Sequence, residues 1–191
     1  MAGITVLGTG KMGTVLGELA AKAGYDVELL GRADADRPVT GDLVVLALPY
    51  PAVADVLAQR GDQLAGRVVV DITNPVDFAT FDAYLVPADG SATAGIAAAL
   101  PDSRVVKAFN TTYEAHLATG RVGDEPTTVL VAGDDDDAKA QVSAWVTAAG
   151  LRAVDAGSLE RARELEALCF LQMALSARGV TSWAGGFALV P

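Results

Sequence analysis

Within six residues near the start of the chain, Gly8-Thr9-Gly10-Lys11-Met12-Gly13 reads G-x-G-x-x-G. A short apolar run at 4–7 precedes it, and an amphipathic stretch at 11–23 follows, with Met12, Val15, Leu16, Leu19 and Ala20 on one face. Between a strand and a helix these glycines have distinct physical tasks. Gly8 permits the tight turn, Gly10 lets the backbone approach a pyrophosphate, and Gly13 lets the helix pack closely on the strand. The unpaired N–H groups at the helix start then face an anion. A mere cluster of turn glycines is the alternative, and the strand–turn–helix context weighs against it.

The next strand end selects the dinucleotide. NAD sites usually place a carboxylate there to accept from the ribose 2′-hydroxyl. Here the run ends Leu29-Leu30-Gly31-Arg32. Gly31 leaves room for a phosphate and Arg32 offers it a bidentate fork, which favours NADP. Two observations pull the other way: Arg32 can simply face solvent, and Asp34 and Asp36 would repel a 2′-phosphate if they turned inward.

Further apolar runs end in polar or proline-containing corners. Ala47-Leu48-Pro49-Tyr50 is expected under the pyrophosphate and nicotinamide ribose, since doubly wound sheets bind ligands at their carboxyl edge. Asn74-Pro75 and Asn110 close the next two runs, and uncharged amides suit carboxamide and ribose recognition, with turn formation as the alternative. No general acid for a carbonyl is apparent. The single histidine, His116, is expected on an exposed helix in a structural role, so no catalytic side chain and no metal ligand is named.

The elements that must position these residues alternate between β-rich and helical runs, the signature of a parallel α/β sheet. The fold expected is a Rossmann-type, doubly wound, mostly parallel sheet with a small C-terminal helical portion. Residues 1–156 form the dinucleotide-binding domain, and 157–191 a helical segment packed on it as one structural unit. The twelve residues from Gly31 to Asp42 are too few for a crossover with a full helix and an extra strand. An extended strap is expected instead. The acidic run 134–137 reads as a helix N-cap rather than a calcium loop, because the spaced ligands of such a loop are absent. Cys169 falls on an apolar helix face as a small hydrophobe, and Trp145 and Trp183 read as core or interface residues.

Composition narrows the partners. The 191 residues are 51% hydrophobic and 20% charged, which excludes a disordered chain. A net charge of −10 argues against nucleic acid and anionic membranes as partners. One cysteine and one histidine exclude an intrachain disulfide and a thiolate or His-rich metal cluster. No signal-like start and no apolar run of membrane length is seen, so a cytoplasmic protein is expected. The apolar segment 183–191 suggests burial against the body or a second subunit, and a homodimer is expected.

Taken together, ITVLGTGKMG, the strand end GR, DITNPV, KAFNTT, VAGDDDDAKAQV and LRAVDAGSLERARELE resemble the NADPH-dependent reductases of the deazaflavin coenzyme F-420, over nearly the whole chain. The cytosolic domain of six-transmembrane ferric reductases is similar. The resemblance implies hydride transfer between NADPH and the deazaflavin, with both rings stacked in one cleft of a Rossmann domain. It implies that Thr9, Gly10, Lys11 and Met12 hold the pyrophosphate, Gly31 and Arg32 the 2′-phosphate, and that Leu48 and Pro49 line the nicotinamide. The deazaflavin would lie over Asn74-Pro75 and the corner at 109–111, covered by residues 187–190, with Lys107, Arg104 and Arg178 as candidates for its acidic tail. Two other readings stay open: an NADPH-dependent reductase of another acceptor (flavin, quinone or ferric chelate), and an NADP-binding sensor without turnover.

Overall fold

β-branched residues dominate the apolar runs, and the structure, a computed structural model describing residues 3–190, turns each of them into a strand. In chain order these are β1 (Gly3–Leu7), β2 (Asp26–Leu30), β3 (Leu43–Leu46), β4 (Val68–Asp71), β5 (Arg104–Lys107), β6 (Arg121–Val122), β7 (Glu125–Pro126), β8 (Thr128–Gly133) and β9 (Arg152–Gly157). Seven of them form one sheet in the order β2-β1-β3-β4-β5-β8-β9, while β6 and β7 make a separate small hairpin. β1 to β5 pair in parallel, β8 runs antiparallel to β5, and β9 is parallel to β8. The sheet is therefore α/β, mostly parallel and doubly wound, as the alternating pattern predicts.

Side chains leave a strand on alternate faces, and here both faces are covered. Ile4, Val6, Leu43, Val45, Val68, Val70 and Val106 point to one layer, with α1 (Lys11–Lys22) and α5 (Asp136–Ala148) over them. Val44, Leu46, Val69 and Val105 point to the other, covered by α2 (Val53–Arg60) and α3 (Ala92–Ala99). The acidic run caps α5: the Asp135 carboxylate accepts from Ala138 N at 2.7 Å. Trp145 is buried in the first layer.

The expected strap is present. After β2 comes only a single 3-10 turn (Arg32–Asp34), and β2 is left as the sheet edge. A chain without a helix must find partners for its carbonyls elsewhere. Two arginines supply them. Buried Arg60 donates to Arg37 O at 2.7 Å and to Asp34 O, and Arg67 donates to Gly41 O and to Val39 O at 3.1 Å.

The chain then closes with α4 (Glu114–Thr119) after β5, and α6 (Ala162–Ala177) after β9. α6 packs on α3 and buries Leu165, Glu166, Cys169, Gln172 and Met173. No helix among the described residues is long and apolar enough to cross a membrane.

Candidate functional site

A groove of about 390 Å³ opens at the carboxyl ends of β1, β2 and β3, lined among others by Gly8, Thr9, Gly10, Gly31, Arg32, Leu48 and Pro49. The glycines explain its shape. Gly8 has φ +126°, and a Cβ there would sit 2.1 Å from Ala47 O. A Cβ on Gly13 would lie 2.0 Å from Gly8 O, so this glycine packs the helix on the turn and does not line the groove. Gly10 differs: nothing stands within 4 Å of its missing side chain, and the backbone is open to a visitor. Gly10 also caps α1 without any side-chain hydrogen bond, and the first turn holds no acidic residue. The helix therefore presents unpaired N–H groups and its positive end to the groove. Lys11 and Met12 occupy that first turn, Lys11 exposed and Met12 half-buried.

At the β2 end of the groove, Arg32 is exposed on the wall. The Asp34 carboxylate folds back on its own turn outside the groove lining, accepting from Gly31 N at 2.9 Å and meeting Arg37 at 3.2 Å. Those two contacts, the Gly31 N–H foremost, hold the Asp34 carboxyl below its usual range.

Asn74, Pro75 and Asn110 lie outside the groove lining, at the β4 and β5 corners. The two amides bond each other: Asn74 Nδ2 donates to Asn110 O and Asn110 Nδ2 to Asn74 Oδ1, both at 3.0 Å. Asn110 Nδ2 also donates to Leu165 O of α6 at 3.0 Å. The preceding residue, Phe109, adopts φ +60°, a conformation costly for a bulky side chain. Its ring is buried against Trp145 at 4.8 Å, which holds the corner in place.

Two placements, of Lys107 and Arg104, correct the sequence reading. Lys107 does not reach toward an acidic tail. It is sealed in the core, donating to Asp71 Oδ2 and Glu166 Oε1 at 2.9 Å each and to Thr73 O at 2.6 Å. An ammonium placed at the end of an apolar strand is driven to nearby carboxylates rather than to solvent. Arg104 begins β5 and so stands at the opposite edge of the sheet, and Arg178 is exposed at the end of α6.

His116 is buried, not exposed: its Nδ1 accepts from Tyr113 N at 3.1 Å and its Nε2 lies 3.2 Å from Gly185 O. Burial pushes the imidazole below its ordinary value. The tail that meets it continues past Gln172, which accepts from Phe187 N at 3.1 Å, to Arg152, which donates to Leu189 O at 3.0 Å. It thus flanks Thr111 and Thr112 at the end of the 109–112 corner.

The buried network of Asp71, Thr93, Lys107 and Glu166 was not anticipated as a unit. Thr93 Oγ1 donates to Asp71 at 2.7 Å, and Glu166 accepts from Ala92 N at 2.9 Å and Thr93 N at 3.2 Å at the start of α3. A signal existed: charges of opposite sign close β4 and β5, and Glu166 falls on the stripe of Ala162, Cys169 and Met173. Cys169 lies beside this network, where burial pushes its thiol up to about 12, so it is inert.

No family model matches the chain. Individual proteins do. It is 33% identical over 165 residues to the F420-dependent NADP reductase of Methanocaldococcus jannaschii, covering 83% of this chain and 73% of that protein. It is 37% identical over 113 residues to the rat metalloreductase STEAP3, covering 59% of this chain and 22% of that protein. A crystal structure of a proposed F420-dependent NADP reductase from Arthrobacter sp. FB24 superposes with a TM-score of 0.85 at 26% identity, over 100% of both chains. With this coverage of a relative at this identity, the chain belongs to the F420-dependent NADP reductase family, a family of NADP-dependent oxidoreductases.

Proposed function

We propose that the protein transfers a hydride between NADPH and the deazaflavin coenzyme F-420. The observation that carries this reading is the groove: a glycine turn, an uncapped helix start, and a strand end bearing Arg32, in a chain akin to a named F420-dependent NADP reductase. The residues fit a dinucleotide, because Gly10 leaves backbone open where a pyrophosphate would approach.

In this reading Gly8, Thr9, Gly10, Lys11 and Met12 hold the pyrophosphate and Gly13 sets the helix, while Gly31 leaves room for the 2′-phosphate and Arg32 receives it. Leu48 and Pro49 form the floor beside the nicotinamide. Asn74, Pro75 and Asn110 shape the corner beyond it, where the amides act by fixing the loop. When bound, NADPH supplies the hydride and the deazaflavin accepts it, with a proton from solvent. The chain has no need of a general acid, since positioning two rings is the protein's main contribution.

We further propose a homodimer: the large exposed hydrophobics, among them Phe78, Leu85, Leu171, Trp183 and Phe187, all belong to the loop at 78–85 and to residues 171–190. A free, buried cysteine fits a reducing, cytoplasmic setting. Residues 1–156 act as the dinucleotide-binding unit, with the C-terminal helical segment docked on it through Glu166 and Leu165.

The test follows NADPH absorbance with and without the deazaflavin, with NADH and a ferric chelate in parallel. Deazaflavin-dependent oxidation supports the proposal. Oxidation only with the ferric chelate favours a metalloreductase-like reading, which the likeness to STEAP3 motivates. NADP binding without turnover of any acceptor leaves the sensor.

A further inference from the structure

The strap that replaces the second crossover carries its own charges to the adenosine end of the groove. Around its 3-10 turn stand three cations, Arg32, Arg37 and Arg60, against three carboxylates, Glu28, Asp34 and Asp36, while Arg67 holds the far end of the strap. Two of the cations are already engaged. Arg60 donates to the carbonyls of Asp34 and Arg37, and Arg37 pairs with Asp34 at 3.2 Å and with Glu28 at 2.7 Å. Only Arg32 faces the groove outside these contacts.

Asp34 stands directly behind the groove lining, bonded to the lining residue Gly31. Its Oδ2 takes the Gly31 N–H at 2.9 Å. A Cβ on Gly31 would stand 3.1 Å from Thr9 Oγ1 and 3.7 Å from Asp34 Oδ2, so the carboxylate, the glycine and the threonine hydroxyl share one spot between β1 and β2. A backbone N–H there is a natural donor to a phosphate, but a carboxylate already holds it. A ribose 2′-hydroxyl, by contrast, can donate to that carboxylate.

We propose that Asp34 is a specificity-determining residue that opposes the 2′-phosphate attracted by Arg32 and accepts from a free 2′-hydroxyl, so that the site binds both nicotinamide dinucleotides and discriminates weakly between them. This rests on the dinucleotide reading above. Asp34 stays charged at neutral pH, its carboxyl lowered by the Gly31 N–H and Arg37. The shortness of the strap is the cause: with no helix between β2 and β3, the residues after the strand tip fold straight back over it.

The experiment is calorimetric titration of NADP+ and NAD+ into the wild type, Asp34→Asn and Arg37→Met. Asparagine still accepts from Gly31 N–H, so the turn is kept while the charge is removed. Asp34→Asn is expected to tighten NADP+ and weaken NAD+, raising their affinity ratio roughly tenfold, the size of one near-surface charge contact. Arg37→Met, which leaves Asp34 in place without its partner, is expected to move the ratio in the opposite direction. This second variant decides the matter if the first does not fold. Both nucleotides binding with a ratio that neither variant moves would overturn the role of Asp34 alone. A wild type that binds neither nucleotide would overturn the dinucleotide reading, and this proposal with it.

Discussion

Lys107 and Glu166 meet at 2.9 Å between side chains that are both sealed from water, joining the end of β5 to the second turn of α6. Asp71 approaches the same ammonium at 2.9 Å, so one cation serves two carboxylates. The excess negative charge is met by donors: Thr93 Oγ1 reaches both carboxylates, and the N–H groups of Ala92 and Thr93 point at Glu166. The C-terminal helix is thereby tied to the sheet edge beside the Asn74–Asn110 corner.

Removing the cation leaves two buried carboxylates facing each other. Lys107→Met is expected to lower stability by about 3–5 kcal/mol. Glu166→Gln should cost clearly less, because its amide oxygen still accepts from the start of α3. Urea denaturation of the two variants checks the order, and an unchanged midpoint for Lys107→Met would show that the network is not a structural anchor.

Gly10 and Gly13 differ in the room around them. A Cβ at Gly10 meets nothing within 4 Å, whereas one at Gly13 would stand 2.0 Å from Gly8 O. Gly10→Val is therefore expected to weaken NADP+ binding severely while melting within a few degrees of the wild type. Gly13→Val should lose both binding and several degrees of melting temperature. Paired calorimetry and thermal melts test this, and normal NADP+ affinity in Gly10→Val would place the pyrophosphate elsewhere.

Arg60 supports a strap that has no hydrogen bonds of a helix to rely on. Arg60→Leu takes the guanidinium from Arg37 O and from Asp34 O, which keeps the Arg37 N–H, at about 0.5–1.5 kcal/mol per hydrogen bond lost. Faster amide exchange confined to residues 31–42 is the expected signature. Uniform loss of protection across the sheet would mean that Arg60 matters to the core instead.

His116 gives the protein an acid-side weakness. Because burial depresses its folded value below the ordinary 6.5, the neutral ring contributes stability that is present above that pH and lost as pH falls further. Protonation would also place a second N–H against Tyr113 N, which Nδ1 now accepts. The wild type should lose more stability than His116→Gln on acidification below pH 6.5; parallel slopes for the two proteins would count against the assignment.

Much of this was legible in the residues themselves. β-branched runs covered on both faces, helical stripes between them, and the G-x-G-x-x-G spacing between β1 and α1 suffice to place the sheet, its two layers and the groove. Local sterics act over a few residues, and a turn that only glycine can make is written where it occurs. The missing crossover followed from length, since twelve residues cannot hold a helix and a strand.

Other features depend on groups far apart in the chain. Glu166 finds Lys107 across 59 positions, and His116 finds Gly185 across 69. Whether a histidine or lysine is buried follows from what later segments lay over it, and spacing along one element does not carry that. The antiparallel entry of β8 beside β5 and the Asn74–Asn110 clasp are of the same kind. The elements, the faces they bury and the glycine turn are written in the residue order, because they follow from short-range backbone and side-chain physics. Where the charges pair emerges only on packing, because burying an ion is costly enough that it takes whatever partner comes within reach.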